Sequence, residues 1–207
     1  MDLRERFSGI CSALLNDLKL VENLWVELEK KYTEKGRHYH NFKHLEHMFT
    51  ELENIKDTVK NFTIVSFSVF YHDAIYNAAS KSNEEKSAEF AIKHLKKLGA
   101  DLNFTEKVSE QIIATKLHEQ SDDNDINYLL DADLSILGSE PGQYLDYTQK
   151  IRKEYSIYPD LLYKPGRRKA LLHFLEAENI FKTDYFKHKY ETQARKNMLS
   201  EIEYLNR

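Results

Sequence analysis

Apolar residues recur at three- and four-residue spacing along almost the whole chain, which is the period of a helix with one buried face. The first such stretch predicts a helix over residues 3–33. Leu14, Leu18, Val21, Trp25, Leu28 and Tyr32 share one face of it, and Gly36 ends it. A second helix is expected to begin near His40 and to carry Leu45, Met48, Leu52 and Ile55 inward. A third, over 62–76, is apolar nearly all round, as a central buried helix should be. Ser82 and Glu85 have the spacing of a capping box at the start of a fourth. Gly99 suits the position just past that helix's end. Further helices are expected over 105–118, over 125–137 where Gly138 stops it, and from Pro141 to 155. Pro165 predicts the opening of another, and the last runs from 183 to the end of the chain. The pattern predicts an all-α, single-domain bundle of eight to nine helices over residues 1–207.

Composition sharpens this picture without changing it. With six Gly and three Pro in 207 residues, turn formers are too few for a β-rich fold. Thirteen Tyr and eleven Phe predict a largely aromatic core. Net charge is −4 with acids and bases interspersed, so no basic surface for a nucleic-acid polymer is expected. The cluster Arg167-Arg168-Lys169 is too short to argue otherwise. Cys11 is the single cysteine, which excludes an intramolecular disulfide framework and a Cys-based zinc finger. No apolar run reaches membrane length and no signal-peptide pattern opens the chain. No membrane partner is therefore expected and the expected location is cytoplasmic. A homo-oligomer is compatible with all of this.

Three segments carry polar chemistry on apolar faces, where an unpartnered polar group would be unfavourable. His40 and His44 stand four apart, so on a helix they share a face, which Met48 continues. A locally His-rich stretch, with His38 and His47, is the plainer explanation of that pair. His72 and Asp73 lie inside the most apolar predicted helix. Adjacent helical residues diverge by about 100°, so both reach one ion only from an edge of the buried face. In the third segment Asp133 falls with Ile126, Leu129, Leu130, Ile136 and Leu137, whereas Asp131 falls on the opposite side with Asn127 and Ser135. Asp133 is expected to point inward and Asp131 to be solvated or to support the site from behind. Together the segments offer two His and two Asp, a mixed set that suits one divalent transition metal (Mn, Fe, Ni, Co or Zn) or Mg better than Ca.

In order and type these residues resemble the HD superfamily of metal-dependent phosphohydrolases, defined by a His, a His-Asp doublet and a distant Asp on helices. The resemblance maps the metal ligands to His44, His72, Asp73 and Asp133. Tyr39-His40-Asn41-x-x-His44 is similar to the opening motif of the cyclic-nucleotide phosphodiesterase branch, and Asp133-Leu134-Ser135 to its last ligand motif. That likeness implies His44 as ligand and His40 as the acid that protonates the leaving group. The stretches 70–76, 83–88 and 130–138 resemble a bacterial subgroup of predicted HD phosphohydrolases. The chain is much shorter than the phosphodiesterases and lacks their substrate-reading C-terminal part. The resemblance also implies that Glu84, three before Ser87, assists proton transfer, with a surface carboxylate as the plain alternative.

Arg152, Arg167 and Lys116 are candidates to grip a substrate phosphate, since a guanidinium fork binds phosphate through two hydrogen bonds. Their plain alternative is a solvated charged face. Tyr144, Tyr147 and Tyr155 suit either a nucleobase pocket or a core. The expected activity is hydrolysis of a phosphate ester of a nucleotide or other small phosphorylated metabolite by a metal-activated water, with His40, Glu84 and Asp73 as catalytic residues. Two alternatives stand beside it. One is a di-iron oxygenase, with His94 or His118 supplying further ligands. The other is a non-enzymatic helical binding module stabilised by its metal.

Overall fold

Asp17 breaks the first predicted helix in two. Its carboxylate accepts a hydrogen bond from the Leu20 amide and so caps a new helix. α1 therefore spans Leu3–Ser12 and α2 spans Leu18–Tyr32. Asp2 and Glu5 form the capping box of α1, whereas Ser82 makes no side-chain cap and Glu85 pairs with Lys116 instead. The computed structural model describes residues 2–206, and among these it is all helical, with ten α-helices rather than eight or nine. The remaining helices are α3 (Phe42–Glu53), α4 (Phe62–Tyr71), α5 (Asn83–Lys97), α6 (Leu102–Ala114), α7 (Asn124–Leu134), α8 (Pro141–Glu154), α9 (Asp160–Glu176) and α10 (Asp184–Leu205). Among the described residues no helix is long and apolar enough to cross a membrane.

Several expected boundaries move for local reasons. α9 begins at Asp160 and holds Pro165 in its interior, because the Pro159 carbonyl already accepts from Leu162 and Tyr163 and starts the helix there. α7 stops at Leu134 and tightens into a 3-10 turn over Ser135–Gly138. Gly99, with φ +73°, sits just past α5 as expected, in a conformation that glycine adopts at little cost.

The chain forms two compact units, divided at Leu129 and Leu130. In the first, α4 is buried from Ile64 to Tyr71 and packs on α1, α3, α5 and α6. Aromatic rings fill the space around its end. Phe7 meets Phe70 edge-on at 5.2 Å, and Trp25 stacks on Phe42 at 5.2 Å. Fully burying such a ring contributes about 2–3 kcal/mol. The buried Asp125 carboxylate accepts from the amides of Lys60 (2.8 Å) and Asn61 (2.7 Å), which fixes the entry to α4.

In the second unit α10 packs on α9 and on the 3-10 turn. A Cβ on Gly138 would stand 2.6 Å from Tyr190 Cβ, so the close approach of the turn to α10 requires glycine there. Asn197 Nδ2 donates to the carbonyls of Leu137 (2.9 Å) and Ser139 (2.8 Å), satisfying backbone acceptors that the tightened turn leaves over.

Candidate metal centre

The His72-Asp73 doublet sits at the end of α4, not inside it. His72 is the C-cap residue, and Asp73 has left the helix. The 100° constraint between the two side chains therefore lapses, and Asp73 Oδ2 comes within 3.1 Å of His72 Nε2. α3 likewise starts later than expected, with Asn41 as its N-cap. His44 lies in its first turn and His40 precedes it, so His40 and His44 do not share a helix face. They still converge. His44 Nε2 and His40 Nε2 lie 3.9 and 4.0 Å from Asp73 Oδ2.

The two buried imidazoles face each other, His44 Nε2 to His72 Nε2, at 3.2 Å. His72 Nδ1 lies 3.0 Å from the Val69 carbonyl oxygen. A carbonyl can only accept, so Nδ1 is the donor of that pair, and the neutral form of this tautomer offers its Nε2 lone pair to an ion lying toward His44 and Asp73. An imidazole whose far nitrogen donates to a carbonyl is the usual arrangement of a metal-ligating histidine. Two ligand atoms bound at about 2.1 Å and at right angles lie about 3 Å apart. The donor set of His44, His72 and Asp73 thus fits a divalent transition metal in chemistry, and the His44–His72 and His72–Asp73 spacings match that geometry, with His44–Asp73 wider at 3.9 Å. His44 and His72 are each 2% exposed and Asp73 is half-buried, so an ion there would be held from the inside and reached from one side.

The surroundings orient this cluster. The His40 ring stacks on Tyr76 at 4.2 Å, and Tyr39 packs against His44 at 4.9 Å. Ser87 Oγ accepts from the Ile75 amide (3.0 Å) and donates to the Ile75 carbonyl (3.2 Å). That pair ties α5, whose first turn carries Glu84, to the loop leaving the doublet. Lys116 is taken up by Glu85 and by the Lys81 carbonyl at 2.9 Å.

His94 does not join the cluster. Its Nδ1 meets the Tyr71 hydroxyl at 2.9 Å and its Nε2 meets Glu27 Oε2 at 3.1 Å, so both ring nitrogens are engaged. Burial holds the His94 imidazole below its ordinary value, against the pull of Glu27. Burial would raise the Glu27 carboxyl, but hydrogen bonds from His94 and Lys97 outweigh it, so Glu27 lies below its usual value. His118 ends the segment after α6 with φ +53°, a left-handed conformation more common for His than for most residues.

In the second unit Asp131 departs from the solvated position expected of it. Asp131 is fully buried, not solvated. It accepts from the Lys182 amide (2.7 Å), the Thr183 amide (2.8 Å) and the Thr183 hydroxyl (2.7 Å), holding the entry to α10. Burial raises its carboxyl while these three donors oppose the rise. Asp133 is half-buried. Lys182, which the periodicity did not single out, is depressed by burial and held up by Asp131, Glu191 and Asp133.

Arg167 forks onto Glu201, Nε to Oε1 at 2.8 Å and Nη2 to Oε2 at 3.1 Å, and reaches the Tyr147 hydroxyl at 3.3 Å. Tyr144 donates to the same Glu201 carboxylate. Tyr144 and Tyr147 are buried, as core residues would be. Arg152 holds Asp160 at 2.7 Å and the carbonyls of Tyr155 and Tyr158, closing the turn between α8 and α9. Both arginines are thus engaged by protein groups, while Arg168 is exposed.

Arg37 is the site-building residue that sequence reasoning missed. Nη1 donates to the carbonyls of His40 (3.0 Å) and Asp73 (2.7 Å), and Nη2 to that of Ala74 (2.9 Å). A charged residue in a turn between helices reads as solvated, and only the carbonyls it meets reveal otherwise. No family model, no curated protein and no solved structure matches this chain.

Proposed function

We propose that this chain is a metal-dependent phosphohydrolase of the HD type, acting on a nucleotide or other small phosphorylated metabolite. His44, His72 and Asp73 hold the ion, and the order of the motif assigns Asp133 as the fourth ligand. The observation that carries this reading is the pair of facing Nε2 atoms 3.2 Å apart, with the His72 tautomer set by Val69 and the Asp73 carboxylate alongside. A bound divalent ion would acidify a water and draw electron density from a phosphoryl oxygen. Asp73 orients both His72 and the partly exposed His40. His40 is steadied by its stack on Tyr76 and is the residue that passes a proton to the leaving oxygen. Glu84, at the start of a helix bolted to the same loop, is the second proton carrier.

The test is hydrolysis of a panel of phosphate monoesters and nucleotides with Mn, Co, Ni, Fe, Zn or Mg supplied. Asp73→Ala is expected to lower kcat/KM by more than about 100-fold. Full retention of activity in that variant overturns the proposal.

A binding module that holds no ion at all has one observation in its favour. The same 3.2 Å contact can be a plain hydrogen bond, His44 Nε2–H donating to His72 Nε2. Metal content separates the two. The di-iron alternative draws no support from His94, whose ring nitrogens serve Tyr71 and Glu27.

A further inference from the structure

The geometry points to Arg37 as a positioning residue of the His/Asp centre, one that sets His40 and Asp73 against each other through their backbones. The inference rests on the metal-site reading above. His40 and Asp73 come from separate segments, one entering α3 and one leaving α4. A single planar guanidinium spans them, with Nη1 shared between the two residues' own carbonyls at 3.0 and 2.7 Å. Nη2 takes the next carbonyl, Ala74, at 2.9 Å.

The Asp73 and Ala74 carbonyls lie just beyond the C-terminal end of α4, where helical partners run out and a cation is favoured by the helix dipole. Tyr32 completes the cover by donating to the Phe70 carbonyl at 3.1 Å. The Arg37 side chain is 3% exposed, and the carboxylate within 4 Å of it is Glu34, at 3.9 Å and itself exposed. Arg37 therefore serves backbone acceptors before it serves an ion pair. Its guanidinium also lies over the rings of Tyr32 (5.0 Å) and Tyr76 (5.6 Å), and Tyr76 is the ring on which His40 stacks.

Lysine in this place keeps the charge but loses the fork, so it cannot hold three carbonyls at fixed angles. Arg37 touches no reacting atom. Its effect on the centre passes through the placement of His40 and Asp73.

Co²⁺ titration of the full chain, read by the visible ligand-field spectrum and by calorimetry, tests this. Arg37→Lys is expected to bind Co²⁺ about 10–100-fold more weakly than wild type, with an altered spectrum, at a temperature where both are folded by circular dichroism. Arg37→Gln, which keeps a planar donor without a buried charge, is read in the same way, and added guanidinium ion at millimolar concentration is expected to restore part of its affinity. Equal affinity and an unchanged spectrum in a folded variant overturn the inference while leaving the metal reading intact. Failure of both variants to fold assigns Arg37 to folding alone and also overturns it. A wild type that takes up no Co²⁺ removes the metal reading itself.

Discussion

His72 Nδ1 donates to the Val69 carbonyl at 3.0 Å, one helical turn back along α4. This bond decides which nitrogen of His72 is available to the site. Long-range ¹⁵N–¹H correlation of the metal-free protein at neutral pH is expected to show His72 as the Nδ1–H tautomer. A His72 protonated at Nε2 alone contradicts the assignment.

The His94 contacts make stability depend on pH. Burial lowers the His94 value from 6.5 in the folded state. Below about pH 6.5 the unfolded chain therefore binds a proton that the folded chain resists. The stability associated with His94 is complete above that pH and is lost as pH falls through the folded value. Glu27, also lowered, adds a second loss below its ordinary 4.5. Urea midpoints measured from pH 7.5 to 5 are expected to fall, and His94→Gln is expected to flatten that slope.

Asp131 holds the entry to α10 through three hydrogen bonds from a fully buried position. Asp131→Ala strands two backbone amides and is expected to destabilise the chain by about 3 kcal/mol, with Asp131→Asn losing about 1 kcal/mol. Denaturant unfolding monitored by circular dichroism checks both values. A variant within 0.5 kcal/mol of wild type, about the spread of surface substitutions, contradicts the role.

Arg167 and Glu201 form a buried fork in the second unit, so removing one partner leaves the other charge uncompensated. Glu201→Ala is expected to destabilise by about 3–5 kcal/mol, and adding Arg167→Met is expected to recover much of that loss. A double-mutant cycle by urea unfolding measures the recovery. Additive losses contradict the coupling.

The helical class was legible because apolar spacing is a property of burial, and every expected helix except the first keeps its place to within several residues. Caps were legible only where they followed apolar rhythm. Gly99 did, but Asp17 sits inside an unbroken apolar pattern, so its capping of α2 is invisible to periodicity. Pro165 misled because Pro159 had already opened the same helix. For the candidate site, His44, His72 and Asp73 were found by residue type and order. Their convergence depends on α4 ending at Tyr71, which the apolar run does not announce. Asp131 was misplaced because the helical wheel sees its own helix and not the Lys182 and Thr183 amides, just before α10, that donate to it. Arg37 escaped notice because its partners are backbone carbonyls, which carry no sequence signal.

Metal content of the purified protein by mass spectrometry, alongside His44→Ala and His72→Ala, tests the central claim most directly. Wild type is expected to carry one divalent transition metal per chain, natively or after incubation with Mn, Ni or Fe, and each variant is expected to lose it while remaining folded by circular dichroism. A wild type that stays metal-free after incubation, or variants that keep the ion, contradict the assignment of His44, His72 and Asp73 as a metal centre.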